Sequence, residues 1–136
     1  MIREIVHDPV FLSRKSTQAS RADLPIAADL IDTLRANLDH CVGLAANMIG
    51  RTKRIIVIAN GPLIIAMLNP KILSKSEEYE TEEGCLSLEG TRKTKRYKCI
   101  RISWQDLQMQ EHIAILDGFQ AQIVQHEIDH CNGILI

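Results

Sequence analysis

The stretch Gln125-His126-Glu127-Ile128-Asp129-His130-Cys131 places two histidines four residues apart, with a glutamate directly after the first. On an α-helix, residues four apart point in nearly the same direction, so His126 and His130 can share one metal ion. Glu127 lies next to that face, where it can act as a general base toward water. The segment therefore predicts a metal centre carried by a helix.

Helix boundary signals flank this segment and recur near the start of the chain. The metal-binding helix is predicted from about Gly118 to Asn132, with Asp117 as N-cap and Gly133 as the left-handed residue that ends it. A second, amphipathic helix is predicted from Asp23, its N-cap, to about Cys41. Its apolar side chains recur every four residues, at Ile26, Leu30, Leu34 and Leu38.

The chain between the two helices is rich in β-branched residues. Four strands are predicted, at 54–59, 63–68, 97–104 and 112–116, the first two joined by a tight turn at Asn60-Gly61-Pro62. We therefore predict an α+β fold, in which antiparallel strands pack around the central metal-binding C-terminal helix, with a further helix near the N-terminus.

Length and composition narrow the class of protein. The 136 residues, 46% of them hydrophobic and with a net charge of −1, predict one domain spanning residues 1–136. No apolar run reaches the roughly 18 residues of a membrane span, and charges interrupt any secretory signal, so we expect a cytoplasmic protein without a membrane partner. Four cysteines without a CxxC pair indicate free thiols or metal ligands.

Charge is segregated in two short runs, the acidic segment 77–83 and the basic segment 92–98. A basic run can indicate nucleic-acid binding. Here the two runs offset each other and carry no nucleic-acid fold signature. We therefore expect solvated loops or edge strands and no direct nucleic-acid site.

Two histidines leave a catalytic metal site one ligand short of the usual three protein donors. Cys131 is rotated about 140° from His126 around the helix and faces away, and Asp129 is a weaker possibility because it more naturally bonds outward. Gly84 allows close backbone approach beside Cys85. The residues alone leave the choice open among Cys41, Cys85 and Cys99.

Three ordered motifs resemble those of the peptide deformylase family: CVGLAANMIG (41–50), EGCLS (83–87) and QHEIDH (125–130). Asn69-Pro70 also falls where that family carries such a pair after a strand. The resemblance implies that Cys85, His126 and His130 hold one divalent metal ion. It further implies Fe²⁺ as the native metal, with Zn²⁺, Ni²⁺ or Co²⁺ as substitutes.

The same resemblance implies the reaction. Members of the family remove the formyl group from N-formylmethionine at the start of new bacterial polypeptides, which implies peptide substrates and transient proximity to the ribosome. Glu127 would be the general base, and the backbone N–H of Leu86 would donate to the oxyanion. The substrate-binding residues implied are Val42, Gly43, Gly84, Leu86, Ile123 and Arg96, with His126 beside the methionine pocket. Arg96 and Glu83 are expected either as an ion pair under the site or as two surface charges.

Two residues depart from the family's first motif, which begins with glycine and carries a glutamine at its eighth position. Cys41 replaces that glycine and Met48 replaces the glutamine. The glutamine amide donates to the reacting oxygen, whereas a thioether donates no hydrogen bond. Loss of such a donor typically costs about 10²–10³ in rate, roughly 2.7–4 kcal/mol. Met48 is interpreted mainly as an apolar filler, with metal ligation as the alternative.

Three functions are therefore compared. The main hypothesis is a peptide deformylase, with Met48 reducing its rate. The alternative is a catalytically weak or inactive deformylase-like protein that binds metal and peptide amino termini; an intact Glu127 argues against it. An HExxH endopeptidase is disfavoured, because a thiolate third ligand does not suit that class. The chain ends three residues after Gly133, so we expect no additional C-terminal helix.

Overall fold

Five antiparallel strands form one sheet in the computed structural model, which describes residues 1–136. The strands are Gly43–Ala45 (β1), Ile55–Asn60 (β2), Leu63–Cys85 (β3), Leu88–Gln105 (β4) and Glu111–Asp117 (β5), and they neighbour one another in chain order. The helices are Pro9–Leu12 (α1), Leu24–Ala36 (α2) and Gly118–Cys131 (α3), with 3₁₀ turns at Arg21–Asp23 and Ala46–Ile49. The predicted α+β fold is confirmed.

The third strand runs far beyond its predicted end at Leu68. Asn69 adopts a left-handed conformation with φ of 52°, and the pairing with β4 is irregular between Leu68 and Lys71. The Asn69 side chain accepts from the Ala19 N–H at 2.7 Å and donates to the Ala19 carbonyl at 2.9 Å. Asn69-Pro70 is thus a bulge that fixes the N-terminal segment to the sheet, after which the strand continues to Cys85.

The two charged runs pair with each other in the outer part of the β3–β4 hairpin. Glu80 lies opposite Lys95, and Glu82 lies opposite Lys93. Opposite charges on facing strand positions stabilise the pair modestly. The runs therefore lie in strands that are largely solvated, as one of the two expected forms, but Glu83 and Arg96 within them are buried.

The N-terminal helix α2 is shorter than predicted and ends at Ala36. Its Ile26, Leu30 and Leu34 are buried, as the four-residue spacing predicted, whereas Leu38 is 37% exposed. The chain leaves the helix at Asn37, whose side chain donates to the Thr33 carbonyl at 2.7 Å. This bond satisfies one of the free carbonyls of the last turn, so the helix ends before Leu38 reaches the core.

Neither predicted N-cap aspartate makes a side-chain capping bond to its own helix. Asp23 closes the preceding 3₁₀ turn instead, where its carboxylate accepts from the Ser20 N–H at 2.8 Å. Asp117 has the extended backbone of an N-cap residue without the bond. The starts of both helices were predicted correctly, but the capping interactions were not.

The C-terminal end of α3 requires the predicted glycine. Gly133 has φ of 74°, and a Cβ at this position would collide with the backbone carbonyl of Ser13. The neighbouring Ser16 N–H donates to the Cys131 carbonyl at 2.8 Å. Gly133 therefore ends the helix and lets the N-terminal segment pack against it.

One hydrophobic core joins both helices to the sheet and comprises 25 buried residues. Its members include Leu30 and Leu34 from α2, Ile56 and Ile58 from β2, and Val124 and Ile128 from α3. Burial of these side chains holds α3 against the sheet, which positions its candidate metal ligands. No helix of the structure is long and apolar enough to cross a membrane.

Candidate metal centre

Three potential metal ligands converge between α3 and the end of β3. The side-chain donor atoms of Cys85, His126 and His130 all lie within 4.8 Å of one another. His126 Nε2 is 3.2 Å from His130 Nε2, which is 3.3 Å from Cys85 Sγ. In a tetrahedral site with bonds of about 2.0–2.1 Å, two nitrogen ligands lie about 3.3 Å apart. The observed spacing fits a metal ion held by one thiolate and two imidazoles.

The hydrogen bond from His126 to Glu83 supports this role. His126 Nδ1 lies 2.8 Å from Glu83 Oε1. A carboxylate oxygen can only accept, so Nδ1 carries a proton and Nε2 is the nitrogen that would bind a metal. Burial lowers the pKa of His126, but hydrogen bonds with Cys85 and Glu83 outweigh it and raise that pKa to about 10. A metal must therefore displace a proton from His126.

His130 is suited to ligation for a different reason. It is fully buried at the junction of α3 with the sheet. Burial, reinforced by the charge of His126, lowers the pKa of His130 to about 3. Its imidazole is therefore neutral at physiological pH, the form that binds metals. Its buried Nδ1 has no hydrogen-bond partner.

An ion-pair network under the two histidines confirms the first of the two expectations for Glu83 and Arg96. The Arg96 guanidinium contacts Glu83 Oε1 at 2.7 Å and Asp129 Oδ2 at 2.7 Å, and its side chain is only 4% exposed. Gln122 Nε2 donates to Glu83 Oε2 at 2.9 Å. Burial raises the pKa of Glu83, but the bonds from His126, Arg96 and Gln122 outweigh it and lower the pKa to about 2.

Glu127 is buried beside the ligands, 4% exposed. Burial raises its pKa to about 7, although the neighbouring charge of His126 opposes the rise. A carboxyl group with a pKa near neutrality can both accept and return a proton. Its Oε1 has no protein hydrogen-bond partner. The group is therefore available to exchange a proton within the cleft.

A cleft of about 540 Å³ opens beside these groups. It is lined by the metal-site residues Cys85, His126 and Glu127 and by five predicted substrate residues, Val42, Gly43, Gly84, Leu86 and Ile123. Arg96 does not line the cleft, because its guanidinium is engaged with Glu83 and Asp129 beneath the histidines. The structure therefore places Arg96 as a support of the site, not on its substrate-binding surface.

The two departures from the family motif also lie at the cleft. Met48 is 1% exposed, and its sulfur accepts from the Ala45 N–H at 3.5 Å. Cys41 donates through its thiol to the Gly43 carbonyl at 3.0 Å, and burial raises its pKa to about 11. Met48 thus fills the position of a hydrogen-bond donor without supplying one.

The remaining cysteines lie outside the ligand cluster. Cys131 is 1% exposed, and burial raises the pKa of its thiol to about 12. Cys99 is in β4, where it pairs with Asp117 of β5. Asp129 is bound to Arg96, as its outward orientation on α3 led us to expect. Of the candidates left open by the residues, the structure brings Cys85 to the histidines.

Several cleft residues were not predicted from the sequence. Gln122 and Phe119 precede Ile123 on α3, and His40 and Leu88 also line the cleft. Gln122 lies one helical turn before His126, so helical spacing could have identified it. His40 and Leu88 depend on contacts between distant segments and carry no local signal.

Comparison with known proteins identifies the family to which the chain belongs. The sequence model of the polypeptide deformylase family matches residues 2–136. The peptide deformylase of Clostridium beijerinckii is 56% identical over 136 residues, the full length of both chains. That of Dictyoglomus thermophilum is 38% identical over 142 aligned positions, covering 100% of this chain and 91% of the relative.

Solved peptide deformylase structures share the fold of this chain. A Met-Ala-Ser-bound class I type b peptide deformylase from Acinetobacter baumannii superposes with a TM-score of 0.89 at 29% identity, covering 99% of this chain and 97% of the other. Peptide deformylase from Thermotoga maritima superposes with a TM-score of 0.87 at 32% identity, covering 99% and 95%. The chain belongs to the peptide deformylase family, the metal-dependent hydrolases that remove the formyl group from N-formylmethionine.

Proposed function

We propose that this deformylase holds its metal through Cys85, His126 and His130 and uses Glu127 as its general base. The convergence of one thiol and two imidazole nitrogens within 4.8 Å is the observation that carries the assignment. A divalent cation bound there supplies positive charge that polarises the formyl carbonyl and favours deprotonation of water at neutral pH. A thiolate and two imidazoles suit Fe²⁺, Zn²⁺, Ni²⁺ or Co²⁺, and we propose Fe²⁺ as the native metal.

Glu127 moves the proton. Its carboxylate accepts a proton from the attacking water and returns it to the methionine nitrogen as the C–N bond breaks, releasing formate. The pKa of about 7 allows both transfers near neutral pH. The backbone N–H of Leu86, in the turn after Cys85, donates to the oxyanion that forms on the formyl oxygen.

The substrate backbone is proposed to add to the edge of the sheet. Strand β1 is the first strand in the sheet order, so one of its edges is unpaired within the sheet. An extended peptide can pair there with main-chain groups of Val42 and Gly43, and Gly84 also lines the cleft. The methionine side chain would contact Val42, Ile123 and His126.

Met48 is proposed to reduce the rate. The buried thioether stands where the family has a glutamine and donates no hydrogen bond to the reacting oxygen. One missing donor predicts a loss of about 10²–10³ relative to a site that has it. The enzyme would still act through Glu127 and the Leu86 amide.

Formylated peptides as substrates indicate where the enzyme would act. We propose that residues 1–136 act as one domain in the cytoplasm, where formylated nascent chains are available close to the ribosome. A single core that joins both helices to the sheet supports one domain.

The assignment is tested by formate release from formyl-Met-Ala-Ser with iron-loaded protein purified without oxygen. Glu127→Gln keeps the shape of the side chain but removes the base. We expect it to lower kcat by about 10²–10⁴ while the bound metal per chain is unchanged. Cys85→Ser and His130→Ala should lose metal. Wild-type turnover by Glu127→Gln, or full metal content in Cys85→Ser, would contradict the assignment.

A further inference from the structure

The first eight residues, Met1–Asp8, form an N-terminal arm that reaches the turn Leu86-Ser87, directly after Cys85. The Val6 N–H donates to the Met48 carbonyl at 2.8 Å. The next residue, His7, places Nδ1 2.8 Å from the Ser87 carbonyl oxygen, a contact across 80 positions of the chain. The arm thus bonds to two segments that lie at the cleft, one containing Met48 and the other following Cys85.

The arm is held on both sides of His7. Toward its start, the Arg3 N–H donates to Thr33 Oγ1 at 2.9 Å, and the Arg3 guanidinium contacts Asp29 at 2.9 Å. Toward its end, the Asp8 side chain accepts from the Val10 N–H at 3.0 Å and caps α1. These bonds fix the arm to α2 and α1, so His7 reaches Ser87 from an anchored backbone.

The partner of His7 is part of the turn that follows Cys85. Ser87 is 2% exposed, and its N–H donates to Cys85 Sγ at 3.4 Å. Its buried hydroxyl has no hydrogen-bond partner, so the turn is not held through that side chain. A carbonyl oxygen can only accept, so the proton of His7 lies on Nδ1 and is donated to Ser87. One residue therefore receives a bond from His7 and gives one to the proposed ligand.

We propose that His7 is a positioning residue for the deformylation site. It holds the Ser87 carbonyl and thereby orients the Leu86-Ser87 turn, which carries an N–H to the Cys85 sulfur and the proposed oxyanion donor Leu86. Groups that orient a ligand from outside typically change metal affinity by about 10–100-fold when removed. The inference rests on the proposed assignment of Cys85 as a ligand and adds a residue that touches neither metal nor substrate.

The test compares His7→Ala, His7→Asn and His112→Ala. Asparagine can donate a hydrogen bond in place of Nδ1, so it is the rescuing variant. His112 is the matched control, because it is an exposed histidine that is also bonded, to Asp106 at 2.6 Å, but on β5. Four quantities are measured: the rate of metal release to a chelator, the thiolate-to-cobalt absorption band of Co²⁺-loaded protein, and kcat and KM for formyl-Met-Ala-Ser.

We expect His7→Ala to release metal roughly 10-fold faster, shift the cobalt band and lower kcat with little change in KM. His7→Asn should recover most of each effect, and His112→Ala should match wild type. Unchanged metal release and an unchanged band in His7→Ala would overturn the proposal. So would an equal defect in His7→Ala and His7→Asn, which would indicate a general loss of packing.

Failure of the metal assignment gives a different result. If Cys85 is not a ligand, Cys85→Ser will leave the cobalt band in place, whatever the His7 variants do. If wild-type protein binds metal but releases no formate, metal release and the band still decide the role of His7.

Discussion

Gly43 and Glu127 are packed so closely that a Cβ atom on Gly43 would lie 2.8 Å from Glu127 Oε2. The same atom would lie 2.9 Å from Ile123 Cγ2. The Gly43→Ala substitution must therefore displace Glu127, the proposed general base, the Ile123 side chain, or both. We expect kcat/KM for a formyl-methionyl peptide to fall at least about 10-fold, since small displacements of catalytic groups are costly. Metal content should be unchanged.

The double variant Gly43→Ala, Ile123→Ala separates the two contacts. Removing the Ile123 side chain beyond Cβ relieves one clash and leaves the clash with Glu127. We expect lost thermal stability to be partly recovered while the loss of kcat persists. Full recovery of kcat in the double variant would show that Ile123, not Glu127, is the group that Gly43 accommodates.

The helix that carries His126 and His130 was the most predictable part of the site. His126 and His130 are four residues apart on one helix, so their convergence is a local property of the sequence. The proposed third ligand is not local: Cys85 reaches the histidines only because β3 continues through the bulge at Asn69. The residues alone left three cysteines open, and resemblance to a family was needed to choose among them.

The contacts of Arg96 and His7 could not be predicted, because they depend on strand register and on distant parts of the chain. Arg96 was placed among the substrate-binding residues, but its side chain lies beneath the histidines, between Glu83 and Asp129. Which face of a strand a side chain occupies depends on register, and the bulges in β3–β4 alter the register. His7 depends on a contact across 80 positions and has no local pattern at all.

Met48→Gln tests whether the thioether limits the rate. The glutamine amide can donate to the reacting oxygen, so kcat for formyl-Met-Ala-Ser should rise by tens-fold or more, up to about the 10²–10³ that one such donor typically contributes. Met48→Leu is the matched control, because it keeps an apolar side chain of similar volume without a donor. It should turn over at the wild-type rate. Equal rates in Met48→Gln and wild type would show that the missing donor does not limit this enzyme.

Glu83 is expected to make the metal-free protein sensitive to acid. Its folded-state pKa is lowered from 4.5 to about 2. A carboxylate with a lowered pKa contributes stability above its unfolded pKa, and this contribution is lost as pH falls from about 4.5 toward 2. The shift corresponds to at most about 3 kcal/mol. Urea unfolding of metal-free protein between pH 2 and 6 should show this loss in wild type.

Glu83→Gln provides the comparison for the same titration. It should be less stable at pH 6, because Arg96 and His126 lose the carboxylate charge, and its stability should fall less on acidification. Parallel curves for the two proteins would mean that Glu83 is not the group responsible.

Metal binding should release protons, because His126 holds a proton that the metal replaces. The pKa of His126 is raised to about 10, so its imidazole is protonated at pH 7 in the metal-free protein. A ligand nitrogen must be deprotonated before it binds metal. The apparent affinity for the metal should therefore fall about tenfold for each pH unit below that pKa, for each proton displaced. Calorimetric titration with Zn²⁺ at pH 7, in buffers of different ionisation enthalpy, should give at least about one proton released per metal. Glu83→Gln should release fewer, because it loses the carboxylate that holds the proton on His126. Heats independent of the buffer would contradict a protonated His126 in the metal-free site.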